Sequence, residues 1–97
     1  MKIIVYGQSE ATMAALSALK LAQHDARHRT NKYFEPTSFE TCDAAVIVEC
    51  KNAFQIAGAH LDKGIKAFIL DREPPVLPGY PVAAFETFNV GDYTMWG

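Results

Sequence analysis

Three runs of the chain, IIVY at 3–6, AAVIV at 44–48 and AFIL at 67–70, are apolar at successive positions. Unbroken runs of strand length are the pattern of strands covered on both faces. Between them lie longer segments in which polar residues recur every third or fourth position. From Glu10 to Asp25 the polar positions Ser17, Lys20 and His24 form one narrow stripe, with Met13, Leu16, Leu19, Leu21 and many alanines elsewhere. That spacing predicts an amphipathic helix, and Ser9 stands where its N-cap belongs. Residues 26–31 (ARHRTN) predict a polar turn, and Lys32 to Glu35 a short second strand stopped by Pro36. Thr37-Ser38-Phe39-Glu40 has capping-box spacing and predicts one helical turn. Asn52 can cap a second helix over AFQIAGAHLDK, with Gly64 in the position of its C-terminal cap. Beyond the strand at 65–70, REPPVLPGYP predicts a proline-rich crossing segment and VAAFETF a fifth strand. The tail NVGDYTMWG shows no period.

Strands alternating with helices imply a parallel sheet with right-handed crossovers. The expected architecture is α/β: a small three-layer Rossmann-like or flavodoxin-like domain over residues 1–97, with a mostly parallel sheet of four to five strands. The pattern leaves the strand order open. The predicted link from second to third strand is about eight residues, short for a full crossover.

Composition narrows the function. A net charge of −2 supplies no field that draws the chain to nucleic acid or to an anionic membrane, and neither is expected as a partner. The run IIVY is too short for a signal peptide or a membrane span. Cys42 and Cys50 are too few for a disulfide framework, so a reduced, cytoplasmic setting is expected.

The first strand runs into Gly7 and then a helix, which is how a dinucleotide-binding unit begins. In such a site a second glycine lets the backbone approach a pyrophosphate and a third permits close helix packing. Here Ser9 and Thr12 hold those positions, and Glu10 puts a negative charge where the phosphate would sit. The turn is therefore read as a fold turn first. A nucleotide or other anionic metabolite at Gly7, Gln8, Ser9, Cys50, Lys51 and Asn52, with Glu35 in the ribose-binding position, is the alternative.

Residues 42–75, CDAAVIVECKNAFQIAGAHLDKGIKAFILDREPP, resemble the nucleotide-binding domain of the glucose–fructose oxidoreductase and inositol dehydrogenase family. Asp43, Asn52, Gly64, Lys66 and Pro74 fall at places comparable with that family's Asp-led strand, Pro-Asn turn, helix end and Glu-Lys-Pro motif. This chain departs from it at Cys50-Lys51-Asn52 and at Arg72-Glu73-Pro74, where the family's cofactor-contacting lysine is absent. Its substrate domain is not found in these 97 residues. The resemblance implies fold and carries over no dehydrogenase activity.

Other chemistry is sparse. Cys50 lies beside Lys51 and the second helix's N-terminus, groups that lower a thiol's pKa, but no base is placed for it. His24 and His28 are spaced i, i+4 with Asp25 between them, but Arg27 and Arg29 oppose a metal cation. Glu49 and Asp62 would have to converge to serve as the paired carboxylates of a nucleoside deoxyribosyltransferase. No catalytic residue, cofactor or metal site is expected. Five aromatics, Tyr80, Phe85, Phe88, Tyr93 and Trp96, crowd the C-terminal segment. Aromatics are enriched at protein interfaces. The leading expectation is a non-catalytic module acting by protein–protein contact, as a homodimer or as an inhibitor or adaptor of a larger partner.

Overall fold

The computed structural model describes residues 1–71, with side-chain environments through residue 70, and the backbone of 87–90 and 93–96. The three apolar runs form the middle of its sheet. Strands β1 (Lys2–Tyr6), β3 (Ala44–Val48) and β4 (Lys66–Asp71) lie side by side and parallel, in register from Ile3↔Ala44 and Ala44↔Lys66 onward. Every residue of β3 is buried. Alternation then sorts the side chains between two covers. Ile4, Tyr6, Ala45, Ile47, Ala67 and Ile69 pack with Ile56 and Ala57 of helix α2 (Ala53–Asp62). Ile3, Val5, Val46, Val48 and Leu70 pack with Ala11, Ala15, Leu16 and Leu19 of helix α1 (Glu10–Leu21). The result is three layers, helix, sheet and helix.

Helix α1 begins on a local signal and helix α2 ends on one. Ser9 Oγ accepts from Thr12 N at 3.2 Å, and Thr12 Oγ1 accepts from Ser9 N at 3.2 Å, a reciprocal capping box. Gly64, at φ 74°, takes the left-handed conformation just past the α2 cap Lys63.

The second strand is not where the pattern put it. Helix α1 stops at Leu21, four residues short of the expected Asp25, and Gln23 turns left-handed at φ 67° to reverse the chain. Asp25–Arg29, read from sequence as the end of that helix and the start of a polar turn, is strand β2, parallel to β1. The reason is its place at the sheet edge. Only Ala26 is buried there and its neighbours are exposed, so the strand needs one apolar residue and shows no apolar run. KYFE instead belongs to the connection 30–43 that crosses from β2 over β1 to β3. The expected helical turn at 37–40 is absent; the chain makes a single turn at 36–37, closed by Ser38 N to the Glu35 carbonyl, and then a bend at Ser38. Phe39 packs inward on aromatic rings. Glu40 meets Lys2 Nζ at 2.9 Å, Arg29 Nη2 at 2.8 Å and Arg27 Nη1 at 3.6 Å. Hydrogen bonds from Lys2 and Arg29 hold the Glu40 carboxyl below its ordinary range.

Strand β5 (Thr87–Val90) takes in the end of the predicted fifth strand and the start of the tail that shows no period, and β6 (Tyr93–Trp96) lies within that tail. Strand β6 pairs antiparallel with β4, Ile69↔Trp96, and with β5, Val90↔Tyr93, giving the order β2-β1-β3-β4-β6-β5. Strands of four residues are too short to display an alternation. Phe88, Tyr93 and Trp96 lie on them. The crossing segment at 72–81, the start of the predicted fifth strand at 82–86, and with them Tyr80 and Phe85, fall outside the described residues.

Candidate functional site

The chain leaves β1 toward one side of the sheet to make β2, then crosses back over β1 to make β3 on the other. Opposite directions of travel put α1 on one face and the 30–43 connection with α2 on the other, as right-handed crossovers require. The order β2-β1-β3-β4 is flavodoxin-like, and it fixes a topological switch point between the carboxyl ends of β1 and β3. Open α/β sheets bind ligands in that crevice. Gly7, Gln8 and Ser9 follow β1 there, and Cys50, Lys51 and Asn52 lie just beyond β3. Glu35 does not join them. It was expected at the end of the second strand and sits exposed in the 30–43 connection, where its carbonyl accepts from Ser38 N at 3.1 Å.

The crevice is bonded to itself. Ser9 Oγ donates to Glu49 Oε1 at 3.0 Å across the gap, with Glu49 held at φ 51°. Cys50 Sγ points back at the carbonyls of Tyr6 (3.5 Å) and Val48 (3.4 Å). Gln8 Nε2 donates to Thr30 Oγ1 at 2.6 Å. Asn52 occupies the α2 N-cap position, yet its side chain makes no cap bond. Its Nδ2 donates to the Asn31 carbonyl at 2.8 Å, and Asn31 Nδ2 donates to its Oδ1 at 3.0 Å. This clasp ties the 30–43 connection to the start of α2.

Gly7 has a packing reason of its own. Its φ is 144°, and a Cβ there would overlie Thr12 Oγ1 and stand 2.5 Å from the Val48 carbonyl. The missing side chain lets α1 approach β3. Nothing at that point calls for a phosphate.

The electrostatics oppose both anion binding and thiol chemistry. Glu10 sits in the first turn of α1 and Glu49 beside Ser9, so two carboxylates flank the place an anion would occupy. The expected lowering of the Cys50 thiol pKa is reversed. Burial, and secondarily Glu49, push it up to about 11, while Lys51 is exposed. His60 is about 12 Å down α2 from the N-cap Asn52 at about 1.5 Å per residue, with its Nδ1 turned to the Ile56 carbonyl, and serves Cys50 as no base. Asp62 ends α2, roughly 15 Å from its N-cap Asn52 by the same rise, while Glu49 precedes the other end, so these carboxylates do not converge. His28 lies in β2, where i, i+4 spacing with His24 gives no common helix face, and its ring contacts the Gly7 carbonyl at 2.7 Å. Among the described residues no His, Cys, Asp or Glu cluster has a geometry that holds a metal, and no helix is long and apolar enough to cross a membrane.

Thr30 and Asn31 escaped the sequence reading, and Glu49 entered it only as a partner for Asp62, not as a residue of this crevice. Glu49 was visible as the polar residue ending an apolar run. Thr30 and Asn31 were hidden by the misplaced second strand. By fold the molecule is a small three-layer α/β protein with a flavodoxin-like parallel core extended by an antiparallel pair. Comparison with known protein families, curated proteins and solved structures finds no match to this chain.

Proposed function

We propose that the chain is a non-catalytic α/β module that works by protein–protein contact, as a homodimer or as an inhibitor or adaptor of a larger partner. The observation that carries this reading is the self-bonded switch point, where Ser9–Glu49 spans the crevice that a ligand of this fold would enter. The aromatic C-terminal strands support contact at the far end of the sheet, where β5 is the outer strand. The opposite edge is a poor template for pairing. Strand β2 carries charges on both sides of Ala26, and Arg29 Nη1 donates to the neighbouring His28 carbonyl at 2.7 Å.

Sedimentation velocity across a concentration series tests the reading. Self-association, or a stoichiometric complex with a candidate partner, is expected to weaken by tenfold or more in Trp96→Ala, about 1.4 kcal/mol or above, with the circular dichroism spectrum retained. A strict monomer at high concentration that also pulls down no partner counts against it.

A second reading keeps the same edge as a small-ligand site, because six of the seven residues expected to bind a ligand stand at the switch point and Glu35 does not. Thermal-shift screening with NAD(P), adenine nucleotides and S-adenosylmethionine separates the two. Under the contact reading no compound shifts the melting temperature. A saturable shift that Gln8→Ala or Lys51→Glu removes would establish the ligand site instead.

A further inference from the structure

His60 is fully buried on α2, and its Nε2 is the one buried side-chain nitrogen or oxygen without a hydrogen-bond partner among the described residues. Its Nδ1 lies 2.7 Å from the Ile56 carbonyl. A carbonyl only accepts, so Nδ1 carries the proton and Nε2 is the bare nitrogen of a neutral ring. Three aromatic rings enclose it: Tyr6 of β1 at 5.5 Å, Phe34 at 5.9 Å and stacked, and Phe39 at 4.5 Å between centroids. Phe34 and Phe39 both come from the 30–43 connection, which has no helix or strand of its own and covers β1 where a crossover helix would otherwise lie.

We propose that His60 is a proton-operated latch for the 30–43 connection: the neutral ring pins Phe34 and Phe39 against α2, and protonation at Nε2 releases them while the sheet stays folded. A proton on Nε2 creates a charged donor with no acceptor in reach, and a buried charge without a partner is costly. Tyr6 and Ile56 belong to the central strand and the helix, so they cannot step aside without unfolding the core. Only the connection can move to let water reach the ring.

The surrounding charges do not rescue the cation. On its own helix end, Lys63 sits with Nζ 4.3 Å from the Phe39 ring centroid, already using that face and repelling a second positive charge. From β1, the Tyr6 phenol is kept neutral by burial, which pushes its pKa up to about 12. Cys42 and Glu40 of the connection, and Arg29 of β2, act on that phenol. Strands β3 and β4 contribute the apolar Ala45, Ile47, Ala67 and Ile69 to the same cluster.

Desolvation lowers the His60 pKa from its ordinary 6.5. A base with a lowered folded pKa binds fewer protons folded than open, so closure is fully favoured above 6.5 and weakens as pH falls from there toward the folded value. Each unit of separation is worth about tenfold in the opening equilibrium. Glu40 also tethers the connection, but its carboxyl is held below 4.5 and titrates in a separate, lower window.

NMR on the whole chain between pH 7.5 and 5 tests the latch by following the His60 ring and amide exchange together. Protection at 33–42, corrected for intrinsic rates, is expected to fall with the same midpoint as the ring titration, while β1, β3 and β4 keep theirs. His60→Phe, which cannot titrate, is expected to abolish the pH response, and Phe39→Leu to raise its midpoint by leaving the ring wetter. Flat protection at 33–42, a midpoint different from that of the ring, loss across the whole sheet at once, or an unchanged response in His60→Phe would each overturn the proposal. The wild-type ring and amide titrations decide the matter even if a variant fails to fold.

Discussion

Val46→Asp is expected to yield no soluble folded protein. Val46 is 4% exposed in the middle of β3, between Val5 and Phe68 in register, and its side chain faces α1. No cation is part of that cluster, so a carboxylate there is both desolvated and unpaired. The cost is several kcal/mol, set against a total stability of about 5–15 kcal/mol for a domain and the lower part of that range for a chain this small. Ile69→Asp, on the α2 face and 2% exposed, is expected to fail in the same way. Lys20→Asp on the exposed stripe of α1 is expected to stay within about 1 kcal/mol, mostly from the helix dipole. Recovery of soluble protein and urea denaturation followed by circular dichroism read all three. A Val46→Asp protein that unfolds at the parent's midpoint would contradict the covered parallel sheet.

Gly7→Ala is expected to cost roughly 2–5 kcal/mol, summing backbone strain at positive φ with overlap against Thr12 and the Val48 carbonyl. Thr12 is fully buried and its hydroxyl sits in the Ser9 capping box, so it has little room to give. The same urea titration measures the loss, and a midpoint equal to the parent's would remove the packing explanation for this glycine. The geometry also makes Gly7→Asp a poor probe of ligand binding, because the substitution disturbs the fold before it touches a ligand. Exposed Gln8 and Lys51 are the informative positions at that edge.

Much of the candidate site was legible because it follows directly from β1 and β3. Gly7 to Ser9 and Cys50 to Asn52 are the residues after two unmistakable apolar runs, and any parallel pairing of those runs brings their ends together. Their bonding was not legible. Asn52 reads as a cap residue, yet the approach of Asn31 offers it two hydrogen bonds in place of the cap. Cys50 reads as an activated thiol beside a lysine and a helix end, yet packing against Tyr6 and Val48 half-buries it and raises its pKa.

The sequence by itself determined the elements that are buried on every side. Strands β1, β3 and β4 carry the unbroken apolar runs 3–6, 44–48 and 67–70, with charged residues only at the ends of β1 and β4; the helices must show a stripe, and Ser9 and Gly64 must sit at helix ends for local conformational reasons. Only the tertiary structure decided the edges, the strand order and the 30–43 connection. An edge strand such as DARHR buries one residue in five, so its identity rests on pairing with β1 rather than on composition. The flavodoxin-like order depends on which side of β1 the chain returns to, a choice that leaves each strand's own pattern unchanged. The neutral His60 in its ring of aromatics exists because residues 6, 34, 39 and 60, far apart in the chain, meet on one face of the sheet. Long-range packing sets the environment of that ring, and no local pattern encodes it.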